Sequence, residues 1–343
     1  MKKITSVAAL ALSFTVGLAG VAASQNYDPA TYFGGKTLRF VVSWSAGGNG
    51  DAYVRILAPY FTKHIPGNPS IVVENMPGGG HNIATNYMFS QAEATGYVIG
   101  TYGSARAVAS AKGDEGVNFD ANAFKYLGSL AGYGAVCMAW HESPFKTAAD
   151  LTKSSEEWIV GDVAPDAAGP TVIKLVGPAL GWNARAISSY ESDKDVNLAM
   201  QRGEVNGSCG PFGGFATDSS WKEKFIPLFT VGLKRDPNLP DVPTVFEIGA
   251  LPDETKQILE AYALRFESSI PLYVPPATPD NVVETLRKAV DETLADPEYR
   301  DQSVKAGRSL DGALSGVDVQ ASVQRIHDVP KDIWAKLSAA QQQ

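Results

Sequence analysis

The sequence predicts an α/β fold in two units, each a mixed sheet flanked by helices. Three observations lead there. The β-rich runs Thr37–Ser43, Ser70–Glu74 and Tyr97–Thr101 are each followed by a loop, and the first two loops open helical patterns, the alternation that builds a parallel sheet. The apolar, glycine-broken stretch Lys125–Trp140 reads as a crossing strand followed by the first strand of a second unit. The chain's 343 residues also exceed the ~250–300 at which a single core stops growing.

The N-terminus stands apart from the fold. Lys2 and Lys3 precede an uncharged apolar run from Val7 to Val21, which leads into the small residues Ala22-Ala23-Ser24. Positive, apolar, small is the order of a secretory leader, expected over residues 1–23. A membrane anchor is disfavoured because the run falls short of the ~20 residues a span requires. No Cys lies beside the cut, which argues against a lipid-anchored form. The mature chain is expected to be soluble and periplasmic.

The elements follow in order. A helix runs from Asp51 to about Lys63, with Pro59 expected to kink or shorten it. Another runs from Asn82 to Ala92. In the second unit Thr147–Ser155 is a short helix and Glu157–Val163 a strand, and a Gly-Pro loop opens a helix near Thr171–Leu180. Ala186–Tyr190 is a strand, Asp193–Arg202 a helix, and Asn206–Cys209 and Phe225–Val231 are strands. Helices return at Asp253–Ala263 and Asp280–Ala295, the latter just after Pro279, where proline suits a helix start. Ser269–Val274 is the strand between them, and the closing glutamines read as a frayed tail.

Composition narrows the function. The net charge of −8 argues against nucleic acid or anionic lipid as partner, but a local loop on an acidic protein can still hold an anion. Cys137 and Cys209 are the only cysteines. An oxidising compartment permits a disulfide; two buried free thiols in strand-like segments is the preferred reading. His64, His81, His141 and His327 lack metal-ligand spacing, and no cofactor motif is present. A P-loop is missing. The G-x-G-x-x-G fingerprint fails at Tyr53 and Ile83. The nucleophile elbow fails because Ser43 lies two before Ser45.

Two segments are suited to an anion: Ser43-Trp44-Ser45-Ala46-Gly47-Gly48-Asn49-Gly50-Asp51, and Glu74-Asn75-Met76-Pro77-Gly78-Gly79-Gly80-His81-Asn82. Each follows a strand and opens a helix, whose first amides are unpaired and partly positive. Glycine lets a ligand reach that backbone, and ligands of open α/β sheets sit at the carboxyl ends of strands. Neutral amides alone would then hold a carboxylate, with no arginine required. The competing reading of either loop is a plain tight turn. Asp51 fits a cap or loop brace better than a catalytic acid. Trp44 either stacks on a flat ligand or packs near the hinge. Ser104 is either a hydrogen-bond donor to ligand or a turn hydroxyl. Arg106 is read as solvated surface rather than a carboxylate partner.

Several segments together resemble the substrate-binding proteins of tripartite tricarboxylate transporters, the TctC or Bug family. They are Ala46-Gly47-Gly48 with Asp51; Val72-Val73-Glu74-Asn75 with Pro77-Gly78, Gly80 and Asn82-Ile83; Gly96-Tyr97; Leu239-Pro240-Asp241-Val242-Pro243-Thr244 with Glu247 and Gly249; and Pro275-Pro276-Ala277-Thr278-Pro279. The resemblance spans nearly the whole mature chain. It implies a two-lobed Venus-flytrap periplasmic binding protein of type II-like form, with residues 24–128 plus 256–343 as lobe 1 and 129–255 as lobe 2. It also implies inner-membrane permease subunits as partners and a small-molecule carboxylate as ligand, with no enzymatic activity and no cofactor; a monomer is expected.

One end of the ligand would lie on Trp44, Ser45, Ala46, Gly48, Asn49, Asp51, Gly79, Gly80, His81, Asn82 and Ser104. The other would meet Gly169, Pro170, Thr171, Tyr190 and Phe212. In the second lobe the sequence departs from the family pattern: no His follows Gly169-Pro170-Thr171, and Glu191-Ser192 follows Tyr190 where a basic residue and glycine are common. Two other readings compete. One is a receptor for a two-component sensor kinase; the other is a secreted hydrolase using Ser45 or Ser104 with His81.

Overall fold

The computed structural model describes residues 27–132, 134–216, 220–308, 310 and 312–342; the leader expected at 1–23 lies outside them. Asp28 accepts the Thr31 amide and Pro29 takes the first turn of α1 (Pro29–Phe33), where its missing N–H costs nothing. There follow β1 (Thr37–Val42), α2 (Asn49–His64), β2 (Ser70–Asn75), α3 (Asn82–Ser90), β3 (Val98–Thr101), α4 (Ala105–Lys112) and β4 (Lys125–Ser129). β1 pairs in parallel with both β2 and β3, so the loops after β1 and β2 leave the same edge of the sheet side by side.

α2 runs from Asn49 to His64 with Pro59 inside it, so proline does not shorten the helix as expected. The lost hydrogen bond falls on the exposed face, where water can reach the Arg55 carbonyl, while Val54, Leu57, Ala58 and Phe61 stay buried.

The chain then builds a second sheet from β5 (Ala135–Trp140), α5 (Asp150–Lys153), β6 (Trp158–Gly161), α6 (Ala168–Leu180), β7 (Ala184–Ile187), α7 (Asp193–Gln201), β8 (Gly207–Pro211), α8 (Phe212–Ala216), α9 (Trp221–Lys224) and β9 (Phe225–Val231). It returns through α10 (Asp253–Leu264), β10 (Pro271–Val274), α11 (Asp280–Ala295), α12 (Pro297–Lys305), β11 (Leu314–Ser315), α13 (Gly316–Asp328) and α14 (Lys331–Gln342).

The first sheet has the order β11-β4-β10-β3-β1-β2 and the second β7-β6-β8-β5-β9. Each is mixed. β10 runs antiparallel to β3 and β4, and β5 antiparallel to β8 and β9. This is the two-lobed α/β architecture read from the sequence. The chain crosses between sheets after β4 and again between β9 and β10, and the cores are not sealed off from each other. One buried cluster joins Val41 and Tyr126 of the first sheet to Cys137 and Val160 of the second, and Trp334 of α14 to both.

The cysteines correct the preferred reading: Cys137 and Cys209 form a disulfide. They sit opposite one another on antiparallel β5 and β8, their Cα atoms 4.0 Å apart, the close approach of a non-hydrogen-bonded pair. The bond closes a loop of 72 residues, for which the chain-entropy model gives about 4 kcal/mol.

α6 also starts earlier than read. Ala168 is its first residue and Ala167 its N-cap, so Gly169, Pro170 and Thr171 lie inside the first turn, all buried.

Candidate ligand-binding cleft

The loop after β1 is fixed by a carboxylate. Asp51, 1% exposed, accepts the Gly47 amide at 2.7 Å and Arg55 Nε at 2.8 Å on one oxygen. Its other oxygen accepts Asn75 Nδ2 at 2.8 Å. Burial pushes its pKa up, but the bonds from Arg55, the Gly47 amide and Asn75 together hold it below the usual value. Asn75 also donates to the Trp44 carbonyl at 3.0 Å, so the end of β2 holds both ends of the first loop. Trp44 lies over Gly50: a Cβ there would stand 2.2 Å from the indole, so only glycine leaves the ring its seat.

The loop after β2 turns through Gly78, Gly79, Gly80 and His81, all with positive φ, a conformation that strains the one non-glycine. His81 carries that strain because its ring is locked between neighbours. Nδ1 lies 2.9 Å from Ser43 Oγ and 3.1 Å from the Ser43 carbonyl. The ring meets Trp44 edge-on, centroids 4.7 Å apart. Burial lowers the His81 pKa; the Ser43 bond opposes the shift and the Arg106 charge adds to it. Arg106 is not the solvated surface residue expected. It is partly buried, Nη1 donates to Asn82 Oδ1 at 2.7 Å, and burial lowers its pKa.

Between the sheets lies a cleft of about 890 Å³. One wall carries Trp44, Asn49, Tyr53, Gly103, Ser104 and Arg308; the other carries Ser192, Lys194, Asn197, Pro211, Phe212 and Gly213. The two stretches that join the sheets contribute Ala131, Gly132, Phe266 and Ser269.

Of the residues singled out from sequence, Trp44, Asn49, Ser104 and Phe212 line this cleft. Ser45, Ala46 and Gly48 sit in the same loop as Trp44 but off the wall, and Asp51 lies beneath it. Gly79 and Gly80 are exposed, and His81 lies against Trp44 and Gly103, both on the cleft wall. Gly169, Pro170 and Thr171 are buried in the first turn of α6, with Thr171 Oγ1 accepting from Gln341 Nε2 of α14 at 3.0 Å. Tyr190 packs against the second unit's core; Ser192, two residues on, reaches the cleft.

The hydrolase geometry does not form. His81 engages Ser43, which is 2% exposed, rather than Ser45 or Ser104. Among the described residues no cluster of His, Cys, Asp and Glu could hold a metal.

Sequence reasoning missed Tyr53, Lys194, Asp236, Asn238 and Arg308. Arg308 had one local signal, since Lys305-Ala306-Gly307 reads as a helix end. Nothing local told where that end lies.

A crevice between two mixed sheets linked by crossing segments defines a two-lobed solute-binding protein. A family model described as tripartite tricarboxylate transporter family receptor matches residues 54–311, and the chain belongs to that family. As a family receptor it binds a solute rather than transforming one. It is 25% identical over 315 residues to the UPF0065 protein in gbd 5′ region of Cupriavidus necator, covering 89% of each chain. It is similar in fold to a TctC solute-binding protein from Polaromonas (TM-score 0.67, 19% identity, 88% of this chain and 98% of that one). The same holds for MatC from Rhodopseudomonas palustris with bound malate (TM-score 0.60, 20% identity, 87% and 99%).

Proposed function

We propose that this protein captures a small carboxylate-bearing solute in the periplasm and presents it to the inner-membrane permease of a tripartite transporter. The observation that carries this is the cleft between two sheets, one wall of which is built on the strand-to-helix loops that follow the parallel strands β1 and β3. Family membership supports the transport role, and the malate in MatC supports the ligand class. A buried disulfide suits an oxidising compartment, and the order of residues 1–23 suits export to it. Among the described residues no helix is long and apolar enough to cross a membrane. The lobes are taken as 24–128 with 256–343, and 129–255, acting as a monomer. Closure of one on the other is the state the permease reads, and ligand favours it by binding the closed form better.

Thermal unfolding against small carboxylates and their amides tests the reading. At a hundredfold excess over Kd the correct ligand adds about 2.7 kcal/mol, a shift of several degrees. Stabilisation by a carboxylate and not its amide is the expected result. Stabilisation by sugars or amides alone would sink the carboxylate assignment.

A further inference from the structure

We propose that Arg308 is the specificity-determining residue of this cleft, the group that makes it select a carboxylate over the matching neutral solute. The inference rests on the receptor reading above and replaces recognition by neutral amides alone with recognition by a fixed guanidinium.

Four observations carry it. First, Arg308 lines the cleft. Among the described residues no carboxylate forms an ion pair with it, and its guanidinium makes a single protein hydrogen bond, Nη1 to Asn49 Oδ1 at 2.9 Å. A guanidinium has five N–H donors in a planar fork that matches a carboxylate, so most of that fork is left for a ligand.

Second, the side chain is held in place. It stacks on the Tyr53 ring, 5.4 Å from the centroid, and Asn49 fixes its other edge. Third, its backbone is held too. α12 ends in a paired cap: the Gly307 amide bonds Val304 O at 2.9 Å and the Arg308 amide bonds Ser303 O at 2.7 Å. Gly307 turns through φ +68°, which glycine adopts without strain. A donor whose backbone, stem and head are already ordered loses little freedom on binding.

Fourth, the charge balance of the cleft is opposite to that of the chain. The chain carries −8, yet the charged residues on the cleft lining are Arg308, Lys194 and Asp236. Asp236 is buried, its carboxylate bonded to the Asn238 amide and side chain at 2.8 and 3.0 Å. The Gly307 cap is also where the walls converge: a Cβ on Gly213 of the opposite wall would lie 3.9 Å from the Gly307 carbonyl. An anion on Arg308 therefore sits where closure would trap it.

The test uses purified wild type, Arg308→Gln and Arg308→Lys. Thermal unfolding and calorimetric titration are run against malate, adipate, benzoate and glutamate, each beside its amide. At least one carboxylate, and not its amide, should bind wild type. Arg308→Gln should weaken that carboxylate roughly 10- to 100-fold, and Arg308→Lys should recover part of the loss. The unliganded midpoint should move by no more than about two degrees, because the cap is made by backbone groups. Equal affinity of wild type and Arg308→Gln for the carboxylate would overturn the role of Arg308 and leave the receptor reading standing. No preference for any carboxylate over its amide in wild type would overturn both.

Discussion

The loop after β1 reads Ser-Ala-Gly-Gly-Asn-Gly and the loop after β2 reads Met-Pro-Gly-Gly-Gly-His; both follow parallel strands and both open helices. The first supplies residues of the cavity wall. Trp44 and Asn49 stand on the wall, while the second loop sets His81 against the Trp44 ring and against Gly103. The difference comes from what each strand's last residues do. Asn75, at the end of β2, reaches across to Trp44 and Asp51, so the second strand spends its polar groups bracing the first loop. Two similar motifs can thus divide presentation from support, and composition alone does not say which does which.

The largest effect that separates them is expected at Gly50. A Cβ there would overlap the Trp44 ring, so Gly50→Ala must push the indole out of its seat. Overpacking of this kind costs about 1–3 kcal/mol. Because Trp44 lines the cleft, affinity for the carboxylate found by titration should fall with stability. A variant that melted as wild type and bound as wild type would show that the ring has room the structure does not give it.

The second loop should respond differently. At Gly80 an added Cβ meets only Arg106 Nη1, at 4.0 Å, but the backbone has φ +57°. Gly80→Ala should therefore cost about 1–2 kcal/mol through backbone strain, with ligand affinity changed less than threefold once the protein is folded. A large loss of affinity at unchanged stability would place the second loop on the ligand and erase the distinction.

The parts of this design that are local could be read from the sequence. Strand–loop–helix order gave the first sheet, and glycine-rich turns located the loop that carries Trp44 and Asn49. What depends on register or distant packing could not be read. Cys137 and Cys209 become partners only because β5 and β8 align them. Gly169 to Thr171 moved from loop to buried turn because α6 begins at Ala168, before the Gly-Pro pair taken to open it. Arg308 reaches Asn49 across 259 positions, a closeness created by the packing of α12 on α2.

The smallest predicted effect tests the brace itself through pH. Burial lowers the His81 pKa in the folded protein relative to the ordinary value near 6.5 of an unfolded chain. The unfolded state therefore binds the proton more readily, and stability rises with pH wherever the two states differ in protonation. The contribution is complete above the unfolded value and is lost as pH falls through the lower folded value. Other groups titrate in the same range, so the informative quantity is a difference between proteins. His81→Asn retains a residue tolerant of positive φ but removes the titrating ring. Its unfolding midpoint should decline less than that of wild type between pH 7 and pH 5, and its affinity at pH 7 should drop only severalfold because Trp44 loses one of its neighbours. Parallel midpoint curves would mean that the ring is solvated enough to protonate in place. The His81 ring would then not be the desolvated support of Trp44 that sets the second loop apart from the first.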